Sequence, residues 1–171
     1  MLEFVKRSWK HRLATNAKRL VSDAAMQRLK LLVAQSEQHH SGEIRICIEA
    51  RLPHSYLTRN APMAAVVRER AIAQFGKLHV WDTQHNNGVL IYLLLCERSI
   101  ELVADRGLAN HVTPQVWQGM VQRLSLALKQ GQFEMGLEQA ITDVSGQLKT
   151  HFSVTTKGGN PNELPDLPAR R

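Results

Sequence analysis

Five side chains that carry oxygen donors, with one arginine beside them, are the residues of this sequence that could do chemistry together. They are Glu43, Asp82, Asn86, Asn87 and Asp105, and the arginine is Arg106. Carboxylate and amide oxygens are the ligands that calcium and similar divalent cations take in proteins. The guanidinium of Arg106 could hold an anion or pair with a carboxylate. The alternative is that Asn-Asn-Gly and Asp-Arg-Gly are only turns, which these residue types also favour.

The element that must position these residues is the apolar stretch from Gly88 to Cys96. It contains no charged residue, and a short continuous apolar run is typical of a strand that is covered on both faces. Its nine residues are far fewer than the roughly 20 that cross a bilayer. The short length and the flanking turn residues disfavour a buried helix, so the sequence predicts a central strand.

Two further strands lie on either side of it in the sequence. Residues 43–49 alternate strictly, with three isoleucines facing one way, which predicts a strand with one well-buried face near an edge of the sheet. Residues 99–104 follow a break of only two residues, so the second and third strands must form an antiparallel hairpin. A helix joins the first strand to the second, so these two should run parallel.

These strand directions bring the polar segments to one rim of the sheet. The first two strands begin at Ser41-Gly42-Glu43 and Asn86-Asn87-Gly88, and the antiparallel third strand ends nearby, at Asp105-Arg106-Gly107. Each segment has a glycine that lets the backbone turn or approach closely. We therefore expect the five oxygen donors to surround one concave patch, with the loop that carries Asp82 over it.

Helices are predicted around the strands by the spacing of apolar residues. They cover residues 24–39, 62–75, 114–131 and 134–151, and Gly76 is expected to end the second of them. The predicted fold is α/β, a three-layer α/β/α sandwich around a small mixed sheet. Residues 22–152 are assigned to this domain, residues 1–21 to a basic N-terminal segment, and residues 153–171 to an extended or disordered tail.

The net charge of +7 is concentrated in the N-terminal segment. Residues 1–21 contain six Lys and Arg against Glu3, so they supply +5 and leave only +2 for the remaining chain. That small excess argues against a domain that binds nucleic acid. The basic segment is expected either to make weak contact with an anionic membrane or to pack as a helix with a solvated basic face.

The two cysteines, Cys47 and Cys96, both fall in predicted strands and have no second cysteine at metal-ligand or redox spacing. They are expected to be reduced thiols in a reducing compartment. The sequence shows no secretory leader and no membrane-spanning stretch, so the expected location is cytoplasmic.

Common catalytic signatures are missing. There is no phosphate-binding loop, no dinucleotide-binding glycine motif and no serine nucleophile elbow. The spacing of His79 and His85 is not one that zinc sites use. No residue is therefore assigned a catalytic role from the sequence.

The same segments, in order, resemble those of the TPM-domain family over about residues 22–152. The resemblance depends on Ser41-Gly42-Glu43-Ile44, Phe75-Gly76, the run from Asn86 to Ile91, Asp105-Arg106-Gly107, and Gly131-x-Phe133 before the last helix. It implies an α/β/α sandwich around a small mixed sheet. Relatives in this family include a thylakoid-lumen protein described as an acid phosphatase and photosystem repair factors, and some members bind divalent metals such as calcium. Many are secreted or anchored, whereas this chain resembles the compact cytoplasmic bacterial branch.

Two functions of different classes remain open. The first is a binding or accessory module that uses the polar rim, with or without calcium or another divalent cation, to engage a protein partner. The second is a weak metal-assisted phosphomonoester hydrolase at the same rim, in which a cation would activate water and Arg106 would hold the phosphate. The missing nucleophile and general acid favour the module.

Overall fold

A computed structural model describes residues 21–154 and 162–171. In chain order the elements are α1 (Asp23–Glu37), β1 (Ile44–Glu49), α2 (His54–Leu57), α3 (Met63–Lys77), β2 (Val89–Leu94), β3 (Ser99–Ala104), α4 (Arg106–Ala109), α5 (Pro114–Lys129), α6 (Phe133–His151) and β4 (Ala169–Arg170). A single 3₁₀ turn, Leu95–Glu97, separates β2 from β3. The predicted membrane contact of the basic segment falls on residues outside the described part.

The four strands form one mixed sheet in the order β3-β2-β1-β4. β1 runs parallel to β2, with Ile44 opposite Val89, and β3 runs antiparallel to β2, with Ala104 opposite Val89. The second strand was predicted to lie between the other two, parallel to the first and antiparallel to the third, and this prediction is confirmed. The sheet has a fourth strand that the sequence did not predict.

β2 is buried along its whole length, as its apolar run predicts. Val89, Ile91 and Leu93 face a first core, which also contains the inward side chains of α1, α5 and α6. Leu90, Tyr92 and Leu94 face a second core, which contains side chains of α3. Helices therefore cover both sides of the sheet, and the predicted α/β fold is confirmed.

Local signals explain where the helices begin and end. Ser22 caps α1 because its hydroxyl accepts a hydrogen bond from the amide of Ala25 at 3.1 Å. α3 continues past Gly76 to Lys77, so the expected end at Gly76 is wrong by one residue. The helix ends where His79 takes a left-handed conformation, with φ at 55°, which turns the chain out of the helical path.

The last ten residues pack along the outer edge of β1. The amide of Arg171 donates to the carbonyl of Ile48 at 3.0 Å, and the amide of Ala50 donates to the carbonyl of Arg171 at 3.1 Å. Leu164 is buried in the second core. Ala169 and Arg170 form β4, which pairs parallel with β1.

Neither cysteine forms a disulfide: Cys47 is buried and Cys96 is half-buried. Burial raises the pKa of the Cys47 thiol to about 12, so this thiol stays protonated and unreactive at neutral pH. Among the described residues, none of the helices has the length and apolar character needed to span a membrane.

Candidate functional site

Backbone hydrogen bonds join the three polar segments at one end of the sheet. The amide of Val89 donates to the carbonyl of Glu43 at 2.8 Å, and the amide of Asp105 donates to the carbonyl of Gly88 at 2.9 Å. The amide of Gly107 donates to the carbonyl of Asn86 at 2.8 Å. We call residues 86–88 and 105–107 the rim, since these two segments are in direct contact.

Two glycines allow this close approach. A Cβ atom on Gly88 would overlap with the carbonyl oxygen of Val80, and one on Gly107 would overlap with the carbonyl oxygens of His85 and Asn86. All three obstacles are backbone atoms, which cannot move aside as a flexible side chain can. Glycine is therefore required at both positions for the rim to close.

Asn86 and Asn87 differ in how they contribute to the rim. Asn86 adopts a left-handed conformation, with φ at 50°, which asparagine tolerates better than most residues. Its side-chain oxygen accepts a long hydrogen bond, 3.4 Å, from Arg106. Asn87 is fully buried, and its side-chain nitrogen donates to the hydroxyl of Ser41 at 3.2 Å.

Two shielded oxygens at the rim have no hydrogen-bond partner among the described residues. They are Oδ1 of Asn87 and Oδ2 of Asp105. The other carboxylate oxygen of Asp105 accepts a hydrogen bond from the amide of Arg106 at 2.7 Å and thereby caps the short helix α4. A buried acceptor without a donor is destabilising by about 1–3 kcal/mol, so these two oxygens are candidates for contact with a ligand.

Glu43 has a different environment from the one expected for a metal ligand. Its carboxylate is buried and accepts hydrogen bonds from the amides of Glu163 and Leu164, each at 3.3 Å. Burial raises the pKa of Glu43 to about 6, although these amide contacts act in the opposite direction. The side chain therefore anchors the C-terminal segment, a role that was not predicted from the sequence.

Asp82 lies exposed on the loop before the rim, and none of the hydrogen bonds within the rim includes its side chain. Within residues 21–154 and 162–171, no three His, Cys, Asp or Glu side chains are grouped closely enough to hold a metal ion. The structure therefore joins Asn86, Asn87, Asp105 and Arg106, while Glu43 and Asp82 lie apart from these contacts.

Sequence reasoning missed two buried titratable residues beside the first strand. The carboxylate of Glu37 accepts a hydrogen bond from the amide of Ile44 at 2.8 Å; burial, together with the negative charge of Glu43, raises the pKa of Glu37 to about 8. The spacing of Glu37 could have revealed its burial, because it continues the apolar stripe formed by Leu29 and Val33 on α1.

The second missed residue is His40, which is fully buried. Its Nδ1 lies 3.0 Å from the carbonyl oxygen of Gly42, so this nitrogen donates. Its Nε2 then accepts from the hydroxyl of Ser145 at 3.1 Å. Burial lowers the pKa of His40 to about 4, so the imidazole is neutral at physiological pH and holds the start of β1 against α6.

A further buried polar group lies at the other end of β1. Arg70 makes two hydrogen bonds to the carboxylate of Glu49, at 2.9 and 2.6 Å, and the hydroxyl of Tyr92 donates to the same carboxylate at 2.7 Å. Burial and the adjoining carboxylate raise the pKa of Tyr92, so the phenol keeps the proton that it donates. These three side chains satisfy one another and have a structural role.

Comparisons with known proteins agree with this architecture. A family model described as the TPM domain matches residues 15–147. The NMR structure of BA42 protein from the psychrophilic bacterium Bizionia argentinensis is similar over 88% of this chain and 95% of its own, with 24% identity and a TM-score of 0.72. The N-terminal domain of a protein from P. gingivalis is similar over 87% of this chain and 89% of its own, with 19% identity and a TM-score of 0.57. Among curated proteins, none matches the sequence significantly.

Proposed function

The chain belongs to the TPM-domain family, and from that premise we propose that it is a binding module whose rim takes up a divalent cation, such as calcium, together with an anionic group of a protein partner. In this proposal the cation contacts oxygens of Asp105 and the neighbouring asparagines. Arg106 attracts the anionic group of the partner. The site binds and does not catalyse a reaction.

The observation that supports the proposal is the pair of shielded oxygens without hydrogen-bond donors, Oδ1 of Asn87 and Oδ2 of Asp105. A calcium ion takes six to eight oxygen ligands from carboxylates, side-chain amides, backbone carbonyls and water. Asp105 would supply an anionic ligand, Asn86 and Asn87 neutral ones, and Asp82 a further carboxylate from the exposed loop. Glu43 would be a further carboxylate ligand, and its oxygens also accept hydrogen bonds from the amides of the C-terminal segment.

The charge at the rim favours weak binding. Calcium affinity increases with the number of anionic ligands and with the rigidity of the site, and the described rim itself has a single carboxylate. The guanidinium of Arg106 also lies at the rim, where it donates a hydrogen bond to Asn86, and its positive charge opposes a bare cation. An anionic group on the partner would remove this repulsion, which is why we propose that cation and partner bind together.

Phosphomonoester hydrolysis has less support. Metal-assisted hydrolysis needs a cation held firmly enough to lower the pKa of a bound water. The described chain has no cluster of three ligating side chains for that purpose. The buried thiol of Cys47, whose pKa is raised to about 12, is unsuited to serve as a nucleophile.

The test is a calcium titration of the full chain followed by calorimetry and amide chemical shifts. We expect shifts at residues 86–88 and 105–107, and we expect Asp105→Asn to weaken calcium binding by about tenfold or more. The melting temperature of the metal-free variant should stay nearly unchanged, because asparagine caps a helix as well as aspartate does.

Asp143→Asn is the matched control, since Asp143 forms an exposed ion pair with Arg123 far from the rim in the sequence. It should leave calcium binding unchanged. Chemical shifts confined to other parts of the protein, or equal affinity for the wild type and Asp105→Asn, would contradict the proposal. A large loss of metal-free stability in Asp105→Asn would show instead that this carboxylate has a structural role.

A further inference from the structure

The outer edge of β3 carries backbone groups that no described strand pairs with, because β3 is the last strand on its side of the sheet. Asp105 and Gly88 form a hydrogen-bonded pair across the hairpin, and in an antiparallel ladder such pairs alternate along the strand. Val103 and Glu101 therefore bond toward β2. The backbone groups of Ile100, Leu102 and Ala104 point outward.

An open groove of about 650 Å³ runs beside this edge, between β3 and α5. Its apolar lining includes Ile100, Leu102, Val112, Trp117 and Val121. Apolar side chains at alternate positions of a strand, next to unpaired backbone donors and acceptors, fit a second strand with an apolar face.

One ion pair lies along the same edge. Arg68 of α3 donates to the carboxylate of Glu101 at 3.1 Å and to the outward carbonyl of Leu102 at 2.7 Å. The edge therefore presents one positive and one negative charge close together. A surface of this kind is complementary to a copy of itself that is rotated by 180°.

The two edges of the sheet differ in this respect. Residues 162–171 cover the edge of β1 and form β4 there. Exposed strand edges promote association between chains unless they are covered or charged. At β3 the described chain supplies only the side chain of Arg68, which covers one of the three outward carbonyls.

We propose that a second copy of this chain binds here, with the two β3 strands antiparallel about a two-fold axis near Leu102. In this arrangement Ile100 of one copy lies opposite Ala104 of the other, and all the outward backbone groups pair. Arg68 releases the carbonyl of Leu102 to the other copy and approaches the Glu101 of that copy. The two α5 helices then close over both grooves. This proposal is independent of cation binding at the rim.

Charge reversal tests the proposal on the full chain by sedimentation equilibrium. The wild type should associate to a dimer as its concentration rises. Arg68→Glu places two carboxylates on each face, and Glu101→Arg places two guanidinium groups there, so each variant alone should be monomeric. Their mixture should form a heterodimer, because like charges then face opposite ones.

The mixture of the two variants is decisive. If the ion pair had only a structural role within each chain, the two variants would not form a heterodimer when mixed. A milder variant, Gln118→Glu/Gln122→Glu, changes only exposed groove residues and should raise the dimer Kd by about tenfold or more through repulsion across the axis. Arg123→Glu, in an exposed ion pair within the first-core helices, is the control and should leave the dimer intact. A wild type that stays monomeric at every concentration overturns the proposal. The groove would then be the site of another segment or another protein. A dimer that none of these variants weakens also overturns it.

Discussion

The two faces of the sheet are buried by different chemistry, and β1 shows the contrast within six residues. Ile44, Ile46 and Ile48 point into the first core and pack among apolar side chains of α1, α5 and α6. The alternate residues Arg45, Cys47 and Glu49 point to the other face and are also buried. The strict alternation of this strand predicted one buried face, whereas the structure buries both.

The second face stays buried because each charge has a partner from a distant part of the chain. Glu49 is paired with Arg70 of α3, and Arg45 donates to the carbonyl of Leu167 at 2.7 Å. Apolar contacts are non-directional and tolerate small shifts, but a buried charge needs its partner within hydrogen-bond distance. The second face is therefore the one that a single substitution should damage most.

The largest effect is expected from Arg70→Leu. It leaves the carboxylate of Glu49 buried without its cation, which should lower the free energy of unfolding by about 3–5 kcal/mol. Chemical denaturation measures this loss. Arg123→Leu, which removes an exposed ion pair, is the control and should cost no more than about 1 kcal/mol.

The double variant Glu49→Leu/Arg70→Leu separates the charge from the packing. Since it removes both charges, it should be more stable than Arg70→Leu alone. If the double variant loses as much free energy of unfolding as Glu49→Leu and Arg70→Leu lose in sum when measured separately, the pair acts only through its contact area.

The next effect is expected from Leu164→Ala in the C-terminal segment. Leu164 is a buried member of the second core, and its truncation should cost about 2 kcal/mol, the low end for a buried leucine. Hydrogen exchange should quicken at the amides of Glu163 and Leu164, which bond to Glu43. Leu167→Ala is the matched control, because Leu167 is 43% exposed. Equal losses in the two variants would mean that the segment is held by its backbone pairing alone.

The smallest change per step is a dependence of stability on pH. The pKa of Glu37 is raised to about 8 in the folded protein, so between its ordinary value and pH 8 the unfolded chain loses this proton while the folded chain keeps it. Stability should therefore fall as pH rises, by at most ~1.4 kcal/mol per pH unit. Glu43, with a pKa of about 6, adds to this trend only at lower pH. His40, with a pKa of about 4, makes stability rise with pH instead, but only below the ordinary pKa of histidine.

The window from about pH 6.5 to 8 thus isolates Glu37 from the other two groups. Glu37→Gln keeps an oxygen for the amide of Ile44 and should remove the slope there. Glu69→Gln, on the exposed side of α3, should preserve it. Denaturation midpoints at four pH values are sufficient, and an unchanged slope in Glu37→Gln would show that Glu37 is ionised in the folded state.

Much of the architecture could be read from local patterns. The uninterrupted apolar run of β2 predicted a strand covered on both faces, and the two-residue break after it predicted the antiparallel hairpin. The rim followed from those directions, and the close contacts at Gly88 and Gly107 agree with it. Local patterns succeed here because periodicity and loop length constrain neighbouring segments directly.

The roles of individual charged residues could not be read in this way. Glu43 was a plausible metal ligand from its place in the sequence, yet its carboxylate holds amides 120 residues further along the chain. Nothing in the composition of residues 162–171 marks them as a fourth strand, because two paired residues are too few to produce an alternating pattern.

The sequence by itself determined the order of the four long helices and of three strands, together with the directions of those strands, since both depend on spacing along the chain. Only the tertiary structure decided which carboxylates are buried, which are paired and which remain without donors. A charge has no preferred partner within its own segment, and its environment is set by whichever distant group packs against it. For this reason Asp105 remains a candidate for binding, while the carboxylates of Glu43 and Glu49 accept hydrogen bonds from distant parts of the chain.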